Sequence, residues 1–128
     1  MWSPLDATAV GVTARLDFVD QPQPNTVQVV VQVHAADLNL EAKDGRYTGK
    51  VDFIMMQKDD RGNQIGGGVT DTVDLNLKPE TYAKVVQQGL VYRKTFPKET
   101  NASIVRVVVR DQTTGAIGSL TVAYKDVN

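Results

Sequence analysis

The sequence of 128 residues contains no cysteine. A chain without cysteine has no structural disulfide, no thiol nucleophile and no thiolate ligand for a metal ion. The absence leaves the cellular compartment open, because exported bacterial domains also occur without disulfides. Thiol chemistry is therefore excluded, while a location is not indicated.

The chain also lacks a strong charge of either sign and a long apolar run. Its 14 basic and 15 acidic side chains give a formal net charge of −1, which creates no field that would attract nucleic acid or an anionic membrane. No apolar run approaches the roughly 18 residues that a membrane span requires. The start, Met1-Trp2-Ser3-Pro4, lacks the basic and apolar regions of a signal peptide. We expect no nucleic-acid partner, no membrane span, and a start that is a boundary within a longer multidomain protein.

No constellation of catalytic residues is present. The single histidine, His34, falls on the polar face of a predicted strand, where a solvated side chain is favoured over a catalytic one. Ser119 does not lie in a Gly-x-Ser-x-Gly elbow, and Gly66-Gly67-Gly68 matches no phosphate-binding loop. The sequence therefore predicts a protein that is not an enzyme and that has no cofactor.

One acidic turn is a candidate calcium site. Residues 59–63, Asp-Asp-Arg-Gly-Asn, gather oxygen ligands of the kind that calcium prefers. The turn lacks the spaced ligands and the distal glutamate of an EF-hand loop, so a solvated hairpin turn is the favoured interpretation. We predict no metal site.

Apolar and polar residues alternate with a period of two along most of the chain, which is typical of half-buried strands. A triple glycine interrupts one of these segments and indicates a β-bulge or a crossing of the edge strand between sheets. One helix is predicted over 79–88, because Pro79 suits the first helical position and Gly89 the position just past the end. The predicted strands cover residues 8–18, 26–36, 47–58, 64–77, 90–96, 103–110 and 117–124.

About seven strands joined by turns, with one short helix, predict an all-β fold, an immunoglobulin-like β-sandwich formed by residues 1–128 as a single domain. A small closed barrel is the alternative. The cysteine pair and the tryptophan between them that mark antibody domains are absent, since the only tryptophan is Trp2.

Some apolar residues fall on the side of their strands opposite to the predicted core. One explanation is that the helix covers them through Tyr82, Val85 and Val86, and the other is that they dock another domain or subunit. Arg106 and Arg110 share a face of one strand, and Arg93 and Lys94 on a neighbouring strand would complete an anion-binding patch, although a solvated face is the favoured interpretation. The candidate interface residues are Val30, Ile54, Met56, Arg106, Val108 and Arg110.

Several stretches together resemble the region C-terminal to the von Willebrand factor A domain in acidobacterial VWFA-related proteins. The resemblance spans residues 27–124 and is carried by residues 37–40, 49–53, 72–82, 89–90, 106–115 and 118–119. It implies a β-sandwich without assigned activity, attached to the A domain of an exported protein, and hence an extracytoplasmic location. The Asp-x-Ser-x-Ser motif of the metal-dependent adhesion site is absent.

The resemblance and the residue pattern together lead to one functional hypothesis and one alternative. The hypothesis is a non-enzymatic accessory module that docks to a protein partner or to a neighbouring domain, such as a von Willebrand factor A domain. The alternative is a carbohydrate-binding or adhesive β-sandwich, for which Tyr47, Tyr82 or Tyr92 would have to line a groove. Aromatic residues make up only 6% of the chain, which favours the first hypothesis.

Overall fold

Two antiparallel sheets and one helix make up the computed structural model, which describes residues 10–19 and 24–124. Trp2 and the start of the first predicted strand lie outside these residues. The eight strands are β1 (Val12–Val19), β2 (Thr26–Val33), β3 (Glu41–Lys43), β4 (Arg46–Lys58), β5 (Gln64–Leu77), β6 (Leu90–Pro97), β7 (Ile104–Asp111) and β8 (Ile117–Ala123). The helix is α1 (Pro79–Gln88), at the predicted bounds.

The smaller sheet has the strand order β1-β2-β6, and β4 is central in the larger one. β5 pairs with one edge of β4, while β3 and then β7 pair with the other, and β8 pairs with β7. In the lettering of immunoglobulin domains, β1, β2 and β6 take positions A, B and E, and β5, β4, β7 and β8 take positions C′, C, F and G. The predicted immunoglobulin-like sandwich is therefore confirmed, since the described residues form two separate sheets rather than a closed barrel.

Two local differences from the predicted strands have simple causes. The second strand ends at Val33, because residues Ala35–Asp37 form a 3₁₀ turn in which the Leu38 N–H donates to the Ala35 carbonyl. β3 was not expected, since its three residues are all exposed and show no apolar alternation.

The core lies between the sheets and follows the alternation in the sequence. In β2 the side chains of Val27, Val29, Val31 and Val33 are fully buried, and the alternate residues face outward. The larger sheet contributes Val51, Phe53 and Met55 from β4 and Val105, Val107 and Val109 from β7. Full burial of one such side chain stabilises the fold by about 1.5–3 kcal/mol.

The triple glycine forms the predicted β-bulge. Met55 pairs with Val69, but Gln57, only two residues further along β4, pairs with Ile65, so β5 holds extra residues there. Gly68 has a positive φ of 74°, a conformation that glycine adopts without steric cost. The bulge is therefore specified by the residues that form it.

The helix closes one end of the sandwich rather than covering a face. The ring of Tyr82 stacks on that of Tyr47 at the start of β4, with centroids 3.8 Å apart, and Val85 packs against the core. Ile54 lies seven residues further along β4, which is about 23 Å of extended chain. The helix thus does not explain the outward apolar residues in the middle of β4.

Candidate docking surface

Five of the six candidate interface residues lie together on the outer face of the larger sheet. In the β4–β7 register, Ile54 lies opposite Val108, and Met56 lies opposite Arg106. Arg110 lies one row further along, opposite Asp52. We call this surface the docking face and define it by the outward residues of β4 and β7: Asp52, Ile54, Met56, Lys58, Ile104, Arg106, Val108 and Arg110.

Val30, the sixth candidate, lies on the outer face of the smaller sheet. It is paired with Arg15 on β1 and with Arg93 on β6, so two arginines flank it in one row. Since the two outer faces of a sandwich point in opposite directions, Val30 cannot share a surface with Ile54. The candidate set is therefore divided between two faces.

The predicted proximity of Arg93 and Lys94 to Arg106 is wrong. Both residues belong to β6 in the smaller sheet, where Arg93 points outward and Lys94 points inward. Lys94 crosses between the sheets, and its Nζ lies 3.4 Å from Asp71 Oδ2 on β5. The basic groups of the two sheets therefore do not form one anion-binding patch.

The apolar centre of the docking face is only half buried. Ile54, Met56 and Val108 are of intermediate exposure, whereas the inward neighbours Met55 and Val107 are buried. Ile104 is also half buried, and Ile117 in β8, in the row of Arg110, is 39% exposed. The outer face of the sheet thus carries a group of partly exposed apolar side chains, distributed over four rows of the register.

Polar groups beside these apolar side chains are held by neighbouring side chains. Asp52 Oδ1 accepts hydrogen bonds from Thr72 Oγ1 at 2.7 Å and from Gln112 Nε2 at 2.8 Å. These bonds, first that from Thr72, and the charge of Arg110 lower the pKa of Asp52 below its ordinary value of 3.8. Arg106 Nη2 donates to Ser119 Oγ at 3.2 Å. The face therefore presents fixed charges of both signs.

Asp52, Lys58 and Ile104 were not among the sequence candidates, although the signal was available. The period of two that places Ile54 outward also places Asp52 and Lys58 outward, and Ile104 follows from Arg106 in the same way. A charged residue on an outer face is common, and only the register with Arg110 gives Asp52 a particular position.

His34 lies beside a carboxylate, but at the surface. Its Nδ1 is 3.4 Å from Asp37 Oδ2, an oxygen that also accepts the Gly11 N–H at 2.9 Å, and the two side chains are 64% and 36% exposed. A cleft of about 330 Å³ borders His34, but Gln32 at its side donates Nε2 to the Gln88 carbonyl and thereby fastens the helix end. These hydrogen bonds thus attach the residue before β1 to the 3₁₀ turn and the end of α1 to β2.

Hydrogen bonds from within the domain satisfy the two carboxylates of the acidic turn. Asp59 Oδ1 accepts the N–H groups of Arg61 and Asn63, each at 2.9 Å, and the bond from Asn63 is the main reason that the pKa of Asp59 lies below its ordinary value. Asp60 accepts a hydrogen bond from the Ser103 hydroxyl. Within residues 10–19 and 24–124, no group of three or more His, Cys, Asp or Glu residues is arranged to hold a metal ion.

The tyrosines named for carbohydrate binding contact other rings of the domain. Tyr47 and Tyr82 stack on each other, and Tyr92 stacks on Phe53 between the sheets, with centroids 4.2 Å apart and planes at 12°. The Tyr92 hydroxyl donates to Asp71 Oδ2. These rings thus hold β-strands and the helix together.

Comparisons with known proteins give no family for this chain. No family model and no solved structure matches this chain. In the described part of the chain, α1 is too short and too polar to cross a bilayer, and no other helix could do so.

Proposed function

We propose that this chain is a non-enzymatic docking module that binds another protein domain through the docking face. The observation that supports the proposal is the group of half-buried apolar side chains, centred on Ile54 and Val108, in the middle of an outer sheet face. Neither the second sheet nor the helix covers this group. Removing it from water would be favourable by about 25 cal/mol per Å² of apolar area.

The residue types on the docking face are those that protein interfaces favour. Arginine and methionine are enriched in interfaces, because the guanidinium forms hydrogen bonds in a plane and the thioether adapts to the shape of a partner. The face has Met56 at its centre and Arg106 and Arg110 beside Val108. A partner would therefore meet an apolar centre with a polar rim.

The resemblance to VWFA-related proteins supplies a setting for this proposal. In that setting the module belongs to an exported, extracytoplasmic protein, and a von Willebrand factor A domain is the neighbour that it contacts. The docking face is the surface that such a neighbour would cover, and no catalytic group of this chain takes part.

Titration with a purified von Willebrand factor A domain from a protein of the resembled family tests the proposal. We expect the chain to bind, and Ile54→Asp to weaken binding at least tenfold, because a carboxylate would be buried without a partner. Val30→Asp is the matched control, since it makes the same change on the opposite outer face and should leave binding unchanged. Equal binding by a folded Ile54→Asp variant would refute docking through this face.

A further inference from the structure

The charges on the docking face complement each other, and we propose that this face also binds a second copy of the chain. This inference rests on the proposed function, because it adds to the same surface a partner that competes with a neighbouring domain. In a dimer with two-fold symmetry, one patch serves both copies and must therefore be self-complementary. The docking face meets this condition for one orientation of the axis.

That axis runs parallel to the strands, between β4 and β7. It lays β4 of one copy over β7 of the other. Each row of paired residues in one copy then faces the same row in the other copy. Asp52 of each copy then faces Arg110 of the other, because these two residues share a row. In the next row, Ile54 of each copy faces Val108 of the other. The dimer thus gains two opposite-charge pairs around an apolar centre.

The row of Met56 and Arg106, next to that of Ile54 and Val108, is compatible with the same axis. It places Met56 of one copy over Arg106 of the other, where the thioether can pack along the alkyl stem of the arginine. Arg106 keeps its hydrogen bond to Ser119 within its own chain. No pair of like charges is brought together in these three rows.

An axis across the strands gives the opposite result. It would lay β7 on β7 in antiparallel fashion about Val108, so that Arg106 of each copy faces Arg110 of the other. Like charges placed directly opposite each other are destabilising. The distribution of charge therefore selects the axis parallel to the strands.

Asp52 is held in place before any dimer forms. Thr72 and Gln112 both donate to its Oδ1, so the carboxylate loses little conformational freedom when it pairs with an arginine of the second copy. The free chain has already ordered this group, which reduces the cost of association.

The size of the face sets the strength that we expect. With the flanking strands β5 and β8 included, four strands about 4.8 Å apart and a rise of about 3.3 Å per residue from Asp52 to Lys58 give a contact of about 20 by 20 Å on each copy. Such a contact is smaller than a stable specific interface and is typical of weak or transient association. We therefore expect a reversible dimer whose population rises with concentration.

Sedimentation velocity of the chain, up to millimolar concentration, tests this proposal by charge exchange. We expect the apparent mass to rise from 14.0 kDa towards twice that value. Asp52→Arg and Arg110→Asp should each keep the mass at the monomer value, because each sets like charges against each other. The double variant Asp52→Arg/Arg110→Asp should recover the dimer, and Asp17→Arg, on the outer face of the smaller sheet, should match the unchanged chain.

Three results would overturn the homodimer: a monomer at all concentrations, single variants that associate like the unchanged chain, or a double variant that does not recover. If circular dichroism shows that a single variant does not fold, an NMR dilution series of the unchanged chain takes the place of that variant. We expect the chemical shifts of the outward residues of β4 and β7 to change with concentration. Shifts confined to other surfaces would count against the proposal. A chain that stays monomeric but still binds the A domain through Ile54 would retain the docking function and lose only this partner.

Discussion

The Tyr124 hydroxyl donates a hydrogen bond of 2.7 Å to Oε1 of Gln57 at the buried end of the sandwich. The same oxygen accepts the Glu99 N–H at 3.0 Å, and Gln57 Nε2 donates to the Pro97 carbonyl at 3.0 Å. Because Gln57 belongs to β4 and Pro97 ends β6, one amide joins the two sheets. Burial raises the pKa of Tyr124 above its ordinary value, so its hydroxyl remains a donor.

Replacement of this amide should therefore destabilise the fold. Gln57→Leu leaves the Tyr124 hydroxyl and the Glu99 N–H without their acceptor, which we expect to cost about 1–3 kcal/mol of unfolding free energy for each buried group left unpaired. Urea denaturation measures the loss. Tyr124→Phe in the Gln57→Leu background should cost less than it does alone, and additive losses would show that the two residues act independently.

The cluster of Asp71, Tyr92 and Lys94 should make stability depend on acid. The hydrogen bond from the Tyr92 hydroxyl, followed by the charge of Lys94, lowers the pKa of Asp71 below its ordinary value of 3.8. A carboxyl whose pKa is lower in the folded state contributes stability that is fully present above its unfolded pKa and is lost as pH falls through the folded value. The unfolding free energy should thus fall below about pH 4.

Asp71→Asn isolates this contribution from those of Asp52 and Asp59, whose pKa values are lowered in the same direction. We expect the variant to show a smaller loss of stability than the unchanged chain when urea denaturation is compared at pH 7 and at about pH 3. Identical losses in the two proteins would mean that the Asp71 carboxylate does not stabilise the fold.

Gly68 and Gly67 form a matched pair for testing the bulge. At Gly68, φ is 74° and an added Cβ would lie 3.1 Å from the Met55 carbonyl oxygen, whereas a Cβ on Gly67 would meet nothing within 4 Å. Gly68→Ala should lower the unfolding free energy by about 1–2 kcal/mol, the cost of a left-handed backbone for a residue with a Cβ. Gly67→Ala should change it by less than half of that, as measured by thermal or urea denaturation. Equal effects would contradict the described geometry.

Tyr82 should contribute most of the free energy that holds α1 against the sheets. Its stack on Tyr47 is lost in Tyr82→Ala, and we expect a loss of about 2–4 kcal/mol, which combines the buried ring with the aromatic contact. Lys84→Ala, at an exposed position of the same helix, is the control and should be nearly neutral. Comparable losses in both variants would show that the stack is not the main contact.

The local pattern was sufficient for the elements but not for their assembly. Alternation located β2 and β4, and the terminal proline and glycine located the helix, because these signals depend on neighbours in sequence. Val30 and Ile54 have the same local pattern of an outward apolar residue in a strand of valines or methionines. They differ only in the sheet to which their strands belong. That assignment depends on contacts between residues that are far apart in the sequence.

The inward position of Lys94 could not be predicted from the sequence for a related reason. Alternation along β6 puts Leu90, Tyr92, Lys94 and Phe96 on one side, and a lysine in such a series is unexpected in a core. The residue that makes this position tolerable, Asp71, lies on an edge strand of the other sheet. Alternation along β5 places Asp71 inward, but it does not identify Lys94 of the other sheet as its partner.

An inward aspartate on β5 also bears on the solubility of the protein. Among the described residues, β5 pairs with β4 alone, so its other edge offers unpaired backbone groups on which a foreign strand could be templated. A strand added there would bring its own side chains against Asp71, whose charge would be buried, and the glycine bulge at Gly66 and Gly68 breaks the regular spacing of donors. Both features oppose edge-to-edge aggregation and amyloid-like growth through β5.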